Sequence, residues 1–123
     1  MEKGGWVYIM ANRYRGGMYV GVTSDLIRRV WQHREGKGSI HVADFDKTRL
    51  VYAERHEEIE PAIAREKLVK KWRREWKFAL IEADNPKWHD LWEQWYPADQ
   101  TPNPDQGQPS PVSSTGRREA FTS

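Results

Sequence analysis

The chain has no cysteine. That absence excludes disulfides, thiolate zinc centres and cysteine nucleophiles together. Long apolar runs are missing too, and no stretch approaches the length needed to span a membrane. The opening residues Met1-Glu2-Lys3-Gly4-Gly5 lack the basic-then-apolar layout of a secretory signal. A soluble cytoplasmic protein with no membrane partner is therefore expected. Charge of one sign is in little excess: the formal net charge is +2 over 123 residues. Large apolar residues all but vanish after Tyr96, where Val112 and Phe121 are the only ones. A Pro/Gly/Ser/Thr/Gln-rich segment of that kind cannot bury enough surface to offset its ordering entropy. The reading is one domain over 1–96, with a modest core, followed by a disordered tail over 97–123.

What is present is unevenly distributed. Between Arg65 and Lys77 stand seven basic residues against two acids, a local +5 that would attract phosphate. A solvated helix face is the commoner reason for such a run. Seven tryptophans are many for this length. Most should be core, and a few could stack on nucleobases.

Trp6 to Ala11 and Met18 to Val22 read as antiparallel strands joined by a short loop containing Asn12, Gly16 and Gly17. Each strand carries a tyrosine, Tyr8 and Tyr19, and a hairpin brings the two phenols close together. Taken alone, strand tyrosines are usually packing residues. Thr23-Ser24-Asp25 is a helix-start signal for a helix from Leu26 to Arg34 that stops near Gly36. Arg49 to Glu54 alternates well enough for a third strand. Pro61 suits the first turn of a long helix running to about Ala83. Asp84-Asn85-Pro86 then breaks the chain and starts a short helix through Trp88, Leu91, Trp92 and Trp95. The order β-β-α-β-α-α predicts an α+β fold: a small antiparallel three-stranded sheet with flanking helices.

A few polar residues fall on the apolar faces of the helices, while Arg28 points away. On the first helix Leu26, Arg29, Val30 and His33 share one face, which carries Arg29 and His33 toward the interior or its edge. Arg29 then needs a partner, either an acid such as Glu66 or a bound phosphate. His33 is read as a satisfied packing or hydrogen-bonding histidine. On the long helix Ile59, Ala62, Ile63, Val69 and Leu80 form an apolar stripe that Glu66 interrupts. A carboxylate there costs roughly a few kcal/mol unless a cation or metal lies nearby. Lys70, Arg73 and Lys77 follow Glu66 at i+4, i+7 and i+11, a basic track on the same side and a candidate DNA contact. A simple Glu66–Lys70 pair is the alternative, worth about half a kcal/mol or less.

The pattern V-Y-I, a short spacer, Y-V-G and a helix D-L-I-R-R-V-W-Q-H resembles the GIY-YIG nuclease superfamily. The block A-R-E-K-L-V-K-K-W-R-R-E-W-K-F-A-L-I-E, then N-P-K-W-H-D-L, resembles its small stand-alone bacterial branch. That branch is similar to the nuclease module of the excision-repair incision subunit and of some homing endonucleases. By position, Tyr8 and Tyr19 match the two motif tyrosines, Gly21 the motif glycine, Arg29 the catalytic arginine and Glu66 the metal-binding glutamate. Asn85 falls where some members have a functional asparagine, with a helix-start role as the alternative. Two departures stand out. Trp6-Val7-Tyr8 replaces the first motif's glycine and isoleucine, and Val22 stands where several active relatives have a polar or basic residue.

The resemblance implies hydrolysis of a DNA phosphodiester by in-line attack of water. One divalent cation on Glu66, Mg²⁺ expected and Mn²⁺ the alternative, would neutralise the leaving oxygen. Arg29 would grip the phosphate, with a donor fork that lysine lacks. Tyr8 or Tyr19 would act as general base. A free phenol titrates near about 10, so Arg29 or the metal must favour the phenolate. His33 and Asn85 are candidate supporting groups. No small-molecule cofactor is implied. A domain this small should read backbone and shape, which favours branched, flapped or damaged DNA in repair or recombination. The rival class is a non-catalytic nucleic-acid-binding module that retains the fold. The basic track and the tryptophans suit it equally, but it has no need of Glu66.

Overall fold

The structure, a computed structural model, describes residues 4–37 and 44–97. The expected tail beyond 97 lies outside the described residues. Strand β1 (Gly5–Ala11) is the middle of a three-stranded sheet, between β2 (Met18–Thr23) and β3 (Arg49–His56). Both pairings are antiparallel. As the central strand with helices on both faces, β1 is buried almost throughout, which is why it reads as a nearly unbroken apolar run.

The two faces hold separate cores. Val7, Ile9 and Ala11 of β1 pack with Val20, Val51, Ala62, Val69, Ile81 and Trp88. This face is covered by α2 (Ile59–Lys70) and α3 (Arg74–Asp84). Tyr8 and Met10 point the other way, onto Leu26, Ile27, Val30, Leu50, Trp92 and Tyr96. That face is covered by α1 (Leu26–Glu35) and α4 (Leu91–Trp95). Trp88 and Trp92 are both fully buried, so they serve as core on opposite sides of the sheet.

Helix α1 begins and ends where local chemistry directs it. Asp25 caps it by accepting from the Arg28 N–H at 3.2 Å, and Thr23 Oγ1 accepts from the Asp25 N–H at 3.0 Å. Gly36 closes it in the left-handed conformation at φ 67°, which glycine adopts without steric cost.

The expected single long helix is two helices. The chain breaks at Lys71-Trp72-Arg73, with the Trp72 N–H bonding the Val69 carbonyl at 3.0 Å in a tightened turn. No glycine or proline marks the break. Trp72 packs against the apolar core there, and the Arg65 guanidinium lies 5.2 Å from the centre of its ring. The break resets the helical phase: Ile81 is the buried residue of α3, and Leu80 is only partly buried. Consequently Lys70, Arg73 and Lys77 do not form one track on a continuous helix. Lys70 ends α2, Arg73 is the extended N-cap of α3 and Lys77 lies within α3.

The last turn also differs from expectation. Asn85 does not start a helix; it caps the C-terminus of α3, and α4 starts only at Leu91 with Asp90 as N-cap. Strand β3 has a bulge opposite Ile9 and Met10, which pair with Tyr52 and Leu50 and leave Val51 extra. Asn85 Nδ2 donates to the freed Val51 carbonyl at 3.1 Å.

Candidate active site

Gly21 lies directly across the β1–β2 ladder from Tyr8, and Tyr19 sits two residues along on the same face. A side chain at position 21 has no room. A Cβ there would stand 2.6 Å from Tyr8 Cζ and Oη, and 2.8 Å from Tyr19 Cε2. The missing side chain is what lets the phenols converge, with ring centroids 6.1 Å apart.

Helix α1 brings two more groups to this spot. His33 is fully buried, with its ring centroid 4.9 Å from that of Tyr19 and 5.9 Å from that of Tyr8. Its Nε2 is 3.4 Å from the Tyr8 hydroxyl, the long end of hydrogen-bonding distance, and its Nδ1 has no hydrogen-bond partner among the described residues. Burial, reinforced by the nearby Arg29 charge and opposed by Asp44, lowers the His33 pKa to about 4. The ring is therefore neutral at pH 7. Arg29, one turn earlier, donates from Nη1 to Gln32 Oε1 at 2.8 Å. Partial burial works against the Arg29 charge, but the Tyr8 and Tyr19 phenols favour it and raise its pKa above the usual arginine value. The partner of Arg29 is thus the phenol pair with Gln32, and Glu66 is bonded elsewhere. Gln32 went unnoticed in the sequence, although its i+3 spacing from Arg29 on α1 is the signal that finds it.

The two tyrosines differ in burial. Tyr8 is fully buried, and burial, with the neighbouring Tyr19 phenol, pushes its pKa well above the ordinary phenol value despite the opposing pull of Arg29. Tyr19 is only half-buried.

Glu66 approaches from the opposite face. It stands between Ala62 and Val69 on the buried side of α2 and is 6% exposed. Its carboxylate meets Lys70 Nζ at 2.7 Å. The Glu66 hydrogen bond raises the Lys70 pKa, with smaller contributions from the Tyr19 phenol and Asp44. Glu66 and Lys70 are thereby linked electrostatically to Tyr19 around β2, the edge strand. Val22 belongs to the α2 side of the sheet, packed against that core. The guanidinium of Arg29 is the cation set against Tyr19, with a weaker influence from Lys70 on α2, while position 22 contributes packing. Asp44, which acts on both His33 and Lys70, left no sequence signal because it comes from the turn before β3.

As a hard oxygen donor on an apolar helix face, Glu66 fits a divalent cation. The described residues contain no group of three or more potential metal ligands. The protein would supply one carboxylate, and water and substrate oxygens the remaining positions. Asn85 takes no part in this cluster. Its amide donates to the carbonyls of Val51 and His89, at 3.1 and 2.9 Å, and accepts from the His89 N–H at 3.0 Å. Arg73 and Lys77 are carried on α3, with the Arg73 guanidinium 5.5 Å from the centre of the Trp76 ring.

A phenol pair packed over a glycine and flanked by an arginine thus lies on one face of the sheet, with a buried glutamate on the helix covering the other. The GIY-YIG catalytic-domain model matches residues 4–79, and the chain belongs to the GIY-YIG family, a nuclease family whose members act on nucleic acid and generally require a divalent metal. Among solved structures it is similar to the UPF0213 protein BH0048 from Bacillus halodurans, determined by NMR in solution. The two are 28% identical over 73% of this chain and 95% of that one, with a TM-score of 0.46. No curated protein matches the chain. Among the described residues, no helix is long and apolar enough to cross a membrane.

Proposed function

We propose that this protein is a divalent-metal-dependent DNA endonuclease that hydrolyses phosphodiester bonds in branched, flapped or damaged DNA during repair or recombination. The observation that carries this reading is Glu66. A buried carboxylate on the helix that packs against β2, in a chain whose β1–β2 hairpin holds a phenol pair beside Arg29, has a use in phosphodiester hydrolysis. A module that merely bound DNA would gain nothing from it, since a carboxylate weakens phosphate binding.

In this mechanism Arg29 grips a non-bridging phosphate oxygen. Gln32 holds one arm of the guanidinium, so the fork is oriented before substrate arrives. Tyr19, the half-buried phenol beside Arg29 and Lys70, takes the proton from the attacking water. Tyr8 suits that step less well, because burial favours its protonated form. It acts instead as a fixed hydrogen-bond donor toward His33 Nε2, which is neutral and able to accept. Glu66 would hold the divalent cation, Mg²⁺ in preference to Mn²⁺, which when bound would supply charge neutralisation at the leaving oxygen. Lys70 occupies the same carboxylate and is more than half exposed, so it can swing toward solvent when the carboxylate takes up the metal.

The test is cleavage of labelled linear, flapped and branched duplexes in Mg²⁺ or EDTA by the wild type and Glu66→Gln. The expected result is metal-dependent cleavage that the variant loses by a factor of about a hundred or more. Binding without cleavage on any substrate would leave the non-catalytic module as the correct reading.

A further inference from the structure

The break between α2 and α3 has an effect on Trp76. On an unbroken helix, residues seven apart share a face, so Trp76 would continue the buried Ala62–Val69 line and enter the core. With the phase reset at Lys71-Trp72-Arg73, α3 instead buries Ile81 and packs Phe78 and Leu80 against the core, and Trp76, in its first turn, is left at the surface. Its indole is 53% exposed. Trp72 meets it edge-on from the core side, with ring centroids 6.2 Å apart and planes at 80°. The Arg73 guanidinium lies 5.5 Å from the Trp76 ring centre, and Arg65 braces Trp72 from behind. An indole buttressed by a second indole and left open to water is an unusual use of a large apolar side chain.

The charge around it selects the occupant. The segment that carries it is basic, with Lys67, Lys70, Lys71, Arg73, Arg74 and Lys77 against Glu66 and Glu75 between Arg65 and Lys77, and Arg73 is the cation set against the ring itself. A polyanion with exposed aromatic faces complements such a segment, because phosphates meet the basic side chains while a base meets the ring. Within a duplex, base faces are stacked on one another. The base that reaches Trp76 must therefore be unpaired.

We propose that Trp76, flanked by Arg73, is a stacking platform for an unpaired base of the nucleic-acid substrate, and that it directs the protein toward duplexes bearing a single-stranded arm. This deepens the nuclease reading, on which its significance for cleavage rests. The test uses fluorescence anisotropy in EDTA, with the full chain and two labelled DNAs that share a duplex: one blunt, one carrying a single-stranded overhang. Trp76→Ala is expected to weaken overhang binding about tenfold and blunt-duplex binding less than twofold. Trp76→Phe, which keeps a ring, is expected to recover most of the loss. Overhang binding within twofold of wild type in Trp76→Ala, or equal losses on both DNAs, would overturn the platform. So would loss of self-association in that variant at unchanged DNA affinity, which would assign the face to a second copy of the chain. Cleavage by the same preparations and by Glu66→Gln separates the two claims. Metal-dependent cleavage with no selective effect of Trp76→Ala removes the platform alone. A selective binding loss without cleavage by any preparation removes the nuclease reading and leaves the platform in place.

Discussion

His33 contributes to the site through what it does not carry, a positive charge. Its ring is enclosed by Tyr8, Tyr19 and Arg29, and burial holds its folded-state pKa at about 4 against the ordinary 6.5. The unfolded chain therefore binds the extra proton first as pH falls. The stability arising from a neutral His33 is fully present above pH 6.5 and is lost progressively down to pH 4. The full loss amounts to about 3 kcal/mol. Urea denaturation from pH 7 to 4.5 should show wild type losing stability more steeply than His33→Gln, and parallel curves would remove His33 as the cause. The sequence placed Arg29 and His33 on the inner face of α1 from spacing alone, and both are there. His33 packs there against both phenols, with Nδ1 unbonded among the described residues, a detail that depends on packing between elements.

At the level of elements, the strands and α1 were legible because their signals are local. Alternation, a capping aspartate and a terminating glycine each act within a few residues. The α2–α3 break was not legible, since Lys71-Trp72-Arg73 contains no breaking residue and the turn follows from docking Trp72 on the core. Asn85 was equally ambiguous, because a turn asparagine beside proline can cap a helix, bond backbone or serve a site. Here its amide spans the β3 bulge and the turn after α3. Asn85→Ala removes three hydrogen bonds and strands the buried Val51 carbonyl, a loss of about 2–3 kcal/mol. The midpoint of urea denaturation should fall accordingly, while cleavage per folded molecule stays unchanged. A rate loss at unchanged midpoint would return Asn85 to the chemistry.

At the scale of the whole molecule, Asp90 ties the site's supporting face together. One oxygen accepts from the Leu50 and Trp92 N–H groups at 3.1 Å each, and the other meets Arg34 at 2.7 Å. It thereby joins α1, β3 and α4 across the core behind Tyr8. Asp90→Ala should cost about 2–3 kcal/mol through lost capping and an unpaired strand N–H. Asp90→Asn should recover part of that by keeping an acceptor oxygen. Thermal unfolding of both variants is the measurement, and equal losses would place the whole effect on the Arg34 ion pair. The hairpin tip is fixed independently, where Arg15 bonds both oxygens of Glu82 at 2.7 and 2.8 Å and Trp88 Nε1 donates to the same carboxylate.

By itself the sequence determined which residue types stand on which face of each local element. Periodicity and capping act over a few residues, so the phenols, Arg29, His33 and the intrusive Glu66 could be placed before any tertiary contact existed. Tertiary structure alone decided how those faces meet. Tyr8 lost solvent while Tyr19 kept some of it, Arg29 met the phenol pair rather than Glu66, and one helix became two, turning Trp76 outward. Each of these outcomes depends on the burial and charge that distant segments impose, and those exist only once the sheet and its two helical layers have packed.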